Sequence, residues 1–256
     1  MTQVTPAQQL FDLSGEVALV TGASSGLGRR FAEVLAAHGA KVVACARRAD
    51  RLAELAAAQK GIAPLALDVT DTASFAAKLE EAERAFGPLT LLVNNAGIAS
   101  GKRILDTSEE EWEAVQKTNV DSVWHLSRAF AQRLIARRGT GAIINIASLV
   151  AERVGMSSAA YAVSKAAVLH MTKAQAIEWA RHKIRVNAIC PGFIASEMTD
   201  AYLASAGGQE MIKRVPQRRA GHPSDLDGTL LLLASSRASG FMTGAAIAVD
   251  GGHALA

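Results

Sequence analysis

Short runs of aliphatic and branched residues alternate with longer, alanine-rich amphipathic stretches along almost the entire sequence. This alternation is typical of βαβ units, in which each helix returns the chain so that the next strand runs parallel to the last. We therefore predict an α/β fold, with a doubly wound and mostly parallel seven-stranded sheet that carries helices on both faces. The strand-like runs span residues 16–22, 40–46, 62–69, 89–97, 141–148, 184–192 and 245–252.

No proline- or serine-rich linker divides the chain, and its 256 residues lie within the length that such a sheet reaches as one unit. The sequence therefore predicts a single domain over residues 1–256. Residues 1–13 precede the first strand pattern and form a predicted N-terminal extension. Residues from about 196 to 221 lack a strand pattern, and we predict that they form a helical lid over the substrate site.

Composition and charge argue against several classes of protein. The formal charge of +3 is spread along the chain, which argues against nucleic-acid binding, and no apolar run is long enough to span a membrane. The six histidines lack metal-ligand spacing, so no metal site is predicted. Because the N-terminus has no signal-peptide pattern and Cys45 and Cys190 lie in separate apolar segments, we expect reduced thiols and a cytoplasmic location.

The segment TGASSGLG, residues 21–28, follows the first strand pattern and opens a helix pattern. Its glycines permit a tight turn, and the helix N-terminus presents unpaired N–H groups to a pyrophosphate. Such a turn alone is weak support for a nucleotide site, so a purely structural turn stays open. Its position at the start of a βαβ chain favours a dinucleotide site. The predicted contacts in this loop are Gly22, Ser24, Ser25, Gly26, Leu27 and Gly28.

The residues after the second strand bear on the choice of cofactor. No acidic residue stands at the strand end to bind a ribose hydroxyl, whereas Arg47 and Arg48 carry guanidinium groups suited to a 2′-phosphate. The sequence therefore favours NADP(H) over NAD(H), while for Arg48 a solvated surface position fits equally well. Asp68, followed by Val69, closes the third strand pattern and is predicted either to bind the adenine amine or to cap a turn.

Tyr161 and Lys165 lie four residues apart in YAVSK, so on a helix they share one face. A phenol ordinarily titrates at about 10, too high for an effective base at neutral pH, and a neighbouring ammonium group lowers that pKa. Ser148 ends the fifth strand pattern, where its hydroxyl can hold a substrate oxygen at the carboxyl edge of the sheet. Alone, the tyrosine and lysine would usually be a surface pair, but with Ser148 and the glycine loop they predict a catalytic site.

From about Leu13 to Gly252 the sequence resembles the short-chain dehydrogenase/reductase family, whose members have a Rossmann-like fold. The family's glycine loop matches Thr21 to Gly28, its NNAG segment matches Asn94 to Gly97, and its aspartate near adenine matches Asp68. The resemblance implies cofactor contacts from Asn94 and Gly97. The residues that match the family's catalytic set are Asn119, Ser148, Tyr161 and Lys165.

The family's PG segment after the sixth strand matches Pro191 and Gly192, which implies carboxamide contacts from Ile194 and Ser196. Ser196 stands where the family usually has threonine. Together these matches imply hydride transfer at nicotinamide C4 between the cofactor and an alcohol or carbonyl substrate.

The resemblance also implies a role for each member of the catalytic set. Tyr161 is the implied general acid in reduction and general base in oxidation, and Ser148 orients the substrate oxygen. Lys165 lowers the tyrosine pKa and, with Tyr161, contacts the nicotinamide end of the cofactor. Asn119 binds a water that links Lys165 to solvent.

Three functions stay in view. The first is an NADP(H)-preferring oxidoreductase that interconverts a secondary alcohol and a ketone. The second is a 3-oxoacyl-carrier-protein reductase, which needs a cationic docking surface such as Arg128 to Arg138 or Arg181 to Lys183. The third is a non-catalytic dinucleotide-binding sensor or scaffold, which could have lost the catalytic set that this chain keeps. The resemblance further implies a homotetramer built with the long helices around Asn119 and Tyr161 and the C-terminal strand.

Overall fold

One seven-stranded sheet lies at the centre of the computed structural model, which describes residues 4–256. The strand order is β3-β2-β1-β4-β5-β6-β7, and every neighbouring pair is parallel. The predicted seven strands are thus confirmed, and the sheet is parallel throughout. The strands are β1 Val17–Thr21, β2 Lys41–Ala46, β3 Ile62–Ala66, β4 Leu91–Asn94, β5 Gly141–Ile146, β6 Ile184–Pro191 and β7 Ala246–Val249.

Helices cover both faces of the sheet, as predicted for a doubly wound fold. Phe31 of α2, Leu52 of α3 and Leu230 of α10 pack on one face, and Phe75 of α4 and Phe130 of α6 pack on the other. Because the central strands are buried on both faces, their sequences are continuous apolar runs rather than alternating ones. The α-helices are α1 Ala7–Leu10, α2 Gly26–Ala37, α3 Ala49–Ala58, α4 Phe75–Phe86, α5 Glu109–Gln116, α6 Ser122–Ala136, α7 Ala159–Trp179, α8 Asp200–Ala204, α9 Ala206–Arg214, α10 Asp227–Ala234 and α11 Ser236–Ser239.

The strand order reverses at β1, and this reversal positions the site. From β1 the chain builds outward through β2 and β3, then crosses to β4 on the other side of β1 and continues through β7. The connections after β1 and β4 therefore diverge to opposite faces of the sheet, which leaves a crevice at the carboxyl ends of these two strands. Ligands of open α/β sheets bind in such crevices.

Two segments lie outside the sheet. In the predicted N-terminal extension, residues 1–3 lie outside the described residues, whereas α1 is held by a hydrogen bond from Ser235 Oγ to the carbonyl of Leu10. The 196–221 segment contains α8 and α9, as the prediction of helical structure requires. Its two ends are joined by a parallel bridge between Ile194 and Gly221.

Within residues 4–256, no helix is both long enough and apolar enough to cross a membrane. The same part of the chain contains no group of three or more histidine, cysteine or acidic residues that could hold a metal ion.

Candidate active site

The glycine loop packs so closely that a side chain at either of two of its glycines would clash with neighbouring protein atoms. A Cβ on Gly28 would lie 2.3 Å from the carbonyl oxygen of Gly22, and one on Gly22 would lie 2.8 Å from Asn95 Nδ2. Gly22 and Gly26 also have positive φ angles of 68° and 52°. Ser25 precedes α2 without making a side-chain capping bond, so the helix N-terminus offers its N–H groups to an anion. These features fit a dinucleotide pyrophosphate.

A hydrogen-bonded clamp joins the glycine loop to the NNAG segment. Thr21 Oγ1 accepts hydrogen bonds from the backbone N–H groups of Asn95 and Ala96, both at 3.0 Å, and Asn95 Nδ2 donates to the Thr21 carbonyl at 2.9 Å. Thr21 and Asn95 thereby fix the floor of the crevice between β1 and β4. Sequence reasoning placed both residues inside motifs but gave neither of them a role.

Arg48 lies directly on the glycine loop. Its Nη2 donates to Ser24 Oγ at 2.9 Å and to Ser25 Oγ at 2.7 Å, and its Nε donates to Ser24 Oγ at 3.1 Å. These contacts bring together three of the residues predicted to bind the cofactor. Arg48 is thus tethered to the glycine loop while its side chain stays 44% exposed, so a contact with the cofactor remains a prediction.

Arg47 faces the next strand instead. It is exposed, and its positive charge contributes to the lowered pKa of Asp68. The main cause of that lowered pKa is the backbone hydrogen bond from Thr70 to Asp68 Oδ1, at 2.9 Å. Asp68 therefore stabilises a turn, one of its two predicted roles, and leaves Oδ2 available for the other. Val69 follows it and packs against the core.

The catalytic residues predicted from YAVSK lie on the first two turns of α7. Lys165 Nζ is 5.6 Å from the centre of the Tyr161 ring, which confirms that the two side chains share a face. Lys165 is 5% exposed, and its ammonium donates to the carbonyl of Ile146 at the end of β5, at 2.7 Å. Ser148 follows β5 and accepts a hydrogen bond from the backbone of Val150. The carboxyl end of β5 thus brings a phenol, a hydroxyl and an ammonium group together.

Burial controls the proton affinities of these groups. It lowers the pKa of Lys165 to about 8, because the apolar interior disfavours the charged ammonium. It also raises the pKa of the Tyr161 phenol, an effect that the nearby Ser148 hydroxyl opposes. This direction is opposite to the predicted lowering by Lys165, because the ammonium faces the ring and donates to the Ile146 carbonyl while burial of the phenol dominates. At neutral pH Lys165 is therefore still mostly an ammonium, while Tyr161 is a neutral phenol that can donate a proton to an oxygen.

Asn119 is buried in a single π-helical turn, Lys117–Asp121, between α5 and α6. Its side chain accepts a hydrogen bond from the backbone N–H of Ile98 and donates to the Ile98 carbonyl, both at 2.9 Å. It also donates to Ser164 Oγ at 2.9 Å. Turns of this type are frequent at functional sites, and this one holds the loop after β4 against α7.

Gly97, in the loop after β4, lies between the dinucleotide crevice and the catalytic residues. A Cβ there would be 3.2 Å from Asn119 Oδ1 and 3.5 Å from Lys165 Nζ, so a side chain would crowd both. The buried side chain of Asn94 donates to Ser127 Oγ at 2.9 Å and to Asn145 Oδ1 at 2.8 Å, so a cofactor contact from Asn94, which stays a prediction, would involve its backbone. Only the backbone of Asn94 remains available to a cofactor.

Ile194 and Ser196 connect β6 to the 196–221 segment. Ile194 is buried, and Ser196 Oγ lies 3.1 Å from Thr199 Oγ1. Ser196 Cβ is 3.7 Å from where a Cβ on Gly26 would stand, so the segment begins beside the glycine loop. Ser196 is therefore at the crevice, across from Arg48, and Ile194 precedes it by two residues in the chain.

The two cysteines are buried and unpaired, as the sequence predicts. Cys190 ends β6 close to Ser148 and Lys165, and burial raises the pKa of its thiol to about 11. At neutral pH this thiol is protonated and unreactive, so it does not compete with Tyr161 for a role in proton transfer.

Comparisons with known proteins agree with this geometry. A family model described as Enoyl-(Acyl carrier protein) reductase matches residues 22–254. The chain is 38% identical over 245 residues to a 2-dehydro-3-deoxy-D-gluconate 5-dehydrogenase from Dickeya dadantii, covering 94% of this chain and 96% of that protein. It is also 38% identical to a 3-oxoacyl-[acyl-carrier-protein] reductase from Escherichia coli, covering 94% of this chain and 98% of that protein.

Among solved structures, a gluconate 5-dehydrogenase from Burkholderia cenocepacia in complex with NADP and tartrate superposes with a TM-score of 0.93 and 34% sequence identity. The match covers 98% of this chain and all of that one. Family model, relatives and fold agree over nearly the full length, and the crevice fits a dinucleotide. The chain therefore belongs to the short-chain dehydrogenase/reductase family and is an NAD(P)-dependent oxidoreductase acting on alcohol and carbonyl groups.

Proposed function

We propose that this oxidoreductase prefers NADP(H) and interconverts a secondary alcohol and a ketone on a polyhydroxylated substrate, in particular a sugar acid. The observation that carries the proposal is the convergence of Ser148, Tyr161, Lys165 and Asn119 beside the dinucleotide crevice. The substrate class is supported by the relatives that are named as dehydrogenases of gluconate or its deoxy derivative. A non-catalytic sensor has no need of this buried arrangement, in which an ammonium group is held out of water at a cost in stability.

In the proposed mechanism Tyr161 moves the proton. During reduction its phenol donates a proton to the substrate oxygen, and during oxidation its phenolate accepts one. Ser148 donates a hydrogen bond to the same oxygen and so fixes its position. The ammonium of Lys165, near the Tyr161 ring, stabilises the phenolate and thereby favours proton release. Asn119 positions the loop after β4 and supports the water through which Lys165 exchanges protons with solvent.

The residues of the crevice would hold the cofactor. Bound NADP(H) supplies or accepts the hydride that is exchanged with the substrate carbon. The N-terminus of α2 with Gly22, Gly26 and Gly28 binds the pyrophosphate in this proposal. Tyr161 and Lys165 hold the nicotinamide ribose. The further contacts we propose are the backbones of Leu27, Asn94, Gly97 and Ile194 with Val69, Asp68 and Ser196.

The preference for NADP(H) rests on the contacts of Arg48 with Ser24 and Ser25. A guanidinium group fixed by two serine hydroxyls presents N–H donors and positive charge, a combination that favours a dianionic phosphate over a ribose hydroxyl. Arg47, beside Asp68, adds a second positive charge at the same end of the crevice.

This preference predicts the effect of removing the arginines. We expect the native protein to use NADPH with a kcat/KM at least about tenfold above that for NADH, and Arg48→Ala to remove about tenfold of the NADPH value. Arg47→Asp should shift the preference further towards NADH. Arg84→Ala, an exposed arginine on the far face of the sheet, is the matched control. A native preference for NADH in these kinetics would contradict the phosphate site.

The 3-oxoacyl-carrier-protein reductase remains a second candidate, because relatives with that name match equally well. The cationic cluster Arg128 to Arg138, one of the two considered for carrier docking, does not favour it. Arg137 Nη1 binds Glu83 at 2.6 Å, and Arg133 binds the same carboxylate, so much of this charge is already paired. Both arginines also lie near the C-terminus of α6, just before β5 begins at Gly141. They are therefore at the amino edge of the sheet, away from the catalytic residues.

A substrate panel distinguishes the two candidates. With NADP+ or NADPH supplied, we expect kcat/KM for a sugar acid such as D-gluconate, or its keto form, to exceed that for a 3-oxoacyl thioester by at least about tenfold. A hexitol without a carboxylate serves as the matched comparison for the role of the substrate charge. The opposite ranking, with the thioester preferred, would assign the protein to the second candidate.

The remaining proposals concern the whole molecule. We propose that the 196–221 segment is a lid over the substrate and that residues 1–256 act as one domain in the cytoplasm. We also propose a homotetramer, which is supported by exposed apolar side chains on α6 and α7. Trp124, Val163 and Ile177 are 49%, 49% and 81% exposed. The edge strand β7 is also partly exposed, as expected of a strand that another subunit covers.

A further inference from the structure

An acidic residue reaches across the dinucleotide crevice from the 196–221 segment. Glu197 Oε1 lies 2.8 Å from Arg51 Nη1, and its Oε2 lies 3.7 Å from Arg48 Nη1. Arg48 precedes α3 and Arg51 lies on its first turn, whereas Glu197 follows β6. These pairs therefore join opposite walls of the crevice beside the glycine loop.

Arg48 is shared between two sets of partners. Its Nη2 binds Ser24 and Ser25, the hydroxyls proposed for the 2′-phosphate, while its Nη1 faces the Glu197 carboxylate. The hydrogen bond and charge of Arg51, with the charge of Arg48, lower the pKa of Glu197. The carboxylate is therefore ionised at neutral pH, and a negative charge stands next to a cation that the proposed phosphate also needs.

We propose that Glu197 is a specificity-determining residue that competes with the 2′-phosphate for Arg48 and Arg51 and so reduces the selection of NADP(H) over NAD(H). The inference rests on the 2′-phosphate site of the proposed function. A phosphate bound at Arg48 would compete with Glu197 for this arginine. The negative phosphate would also be repelled by the negative Glu197 carboxylate. A 2′-hydroxyl carries no charge and does neither, so Glu197 penalises NADP(H) alone.

The expected change in NADP+ affinity follows from the solvent exposure of the three side chains. The side chains of Glu197, Arg48 and Arg51 are 60%, 44% and 38% exposed, so water and salt screen their interaction. We therefore expect removal of the carboxylate charge to tighten NADP+ binding by about three- to tenfold, and less at high ionic strength.

Isothermal titration calorimetry on the full chain tests this inference, because it measures cofactor binding independently of catalysis. Dissociation constants for NADP+, NAD+, adenosine 2′,5′-bisphosphate and adenosine 5′-phosphate are measured for the native protein and Glu197→Gln. The control is Glu210→Gln, which removes an equal charge from an exposed pair with Lys213 in the same segment. We expect Glu197→Gln to bind NADP+ and the bisphosphate about three- to tenfold more tightly, and NAD+ and the monophosphate within about twofold of native.

The outcomes separate this inference from the function on which it rests. If the native protein prefers NADP+ and Glu197→Gln leaves its binding unchanged or weaker, or tightens NAD+ equally, the role of Glu197 is wrong and the phosphate site stands. If neither protein binds NADP+ more tightly than NAD+, nor the bisphosphate more tightly than the monophosphate, the phosphate site itself is wrong and the inference falls with it.

Discussion

Tyr161→Phe is expected to lower kcat by about 10³-fold, because a general acid or base contributes about 10²- to 10⁴-fold and no other group at this site can replace the phenol. Lys165 is bonded to the Ile146 carbonyl, and the Cys190 thiol has a pKa of about 11. The variant loses one proposed hydrogen bond to the nicotinamide ribose, worth about 0.5–1.5 kcal/mol, so its dissociation constant for NADPH should stay within about tenfold of native. Steady-state kinetics and a fluorescence titration with NADPH measure the two quantities separately.

The chain supplies its own control for this substitution, because it contains only one other tyrosine. Tyr202 lies on α8, stacks on Phe193 and is 45% exposed. Tyr202→Phe removes an identical hydroxyl and should keep kcat within a few-fold of native. Retention of more than a tenth of the native kcat by Tyr161→Phe would show that another group transfers the proton.

Lys165→Met is expected to abolish turnover and, unexpectedly for a buried substitution, to raise the free energy of unfolding at pH 7. Burial lowers the pKa of Lys165 to about 8 in the folded protein, from an ordinary value of 10.5 for a solvated lysine. Between these two values the unfolded chain binds a proton that the folded chain does not, so stability rises with pH through this window. Below it the folded protein carries an ammonium group in an apolar site, at a cost on the order of 3 kcal/mol.

Methionine is similar in length and carries no charge, so it removes the cost of burying the ammonium. It also loses the hydrogen bond to the Ile146 carbonyl, and this loss offsets about 1–2 kcal/mol of the gain in stability. A net gain of about 1–2 kcal/mol at pH 7 should therefore shrink towards pH 10, as the native lysine becomes neutral. Urea unfolding at the two pH values measures it. Lys173→Met, an exposed change on the same helix, should show no such pH dependence. A Lys165→Met protein that is less stable than native by the same amount at both pH values would contradict this account.

The parts of the fold that the sequence predicts are those that depend on local pattern. The central strands are continuous apolar runs because they are buried on both faces, and the partly exposed edge strands β3 and β7 are also short apolar runs, so all seven could be located. The predicted strands extended too far, because they included polar residues such as Asp68 and Asn95, which lie beyond the sheet and make a turn and a clamp. The order of the strands depends on where each helix crosses the sheet, which no local pattern contains.

In the active site too, contacts that depend on local geometry could be predicted, and contacts between distant parts of the chain could not. Tyr161 and Lys165 meet because helix geometry alone brings residues four apart together. Which arginine lies on the glycine loop depends on the exact start of α3, and the structure places Arg48 there. Asn94 turns inward because Asn145, on a neighbouring strand, accepts its hydrogen bond. Contacts between residues 51 positions apart cannot be inferred from spacing.

The bridge between Ile194 and Gly221 has a consequence for how this enzyme diversifies. Ala195 donates to the Gly221 carbonyl and Gly221 donates to the Phe193 carbonyl, both at 2.9 Å, and a Cβ on Gly221 would lie 2.3 Å from Ile194 Cδ1. The intervening residues thus form a loop whose two ends are joined beside the sheet, and lengthening such a loop costs little free energy. On the proposal that this loop is a lid over the substrate, we expect insertions between α8 and α9 to alter substrate choice without disturbing the sheet or the proton-transfer groups, so the loop is suited to exchange in evolution and in engineering.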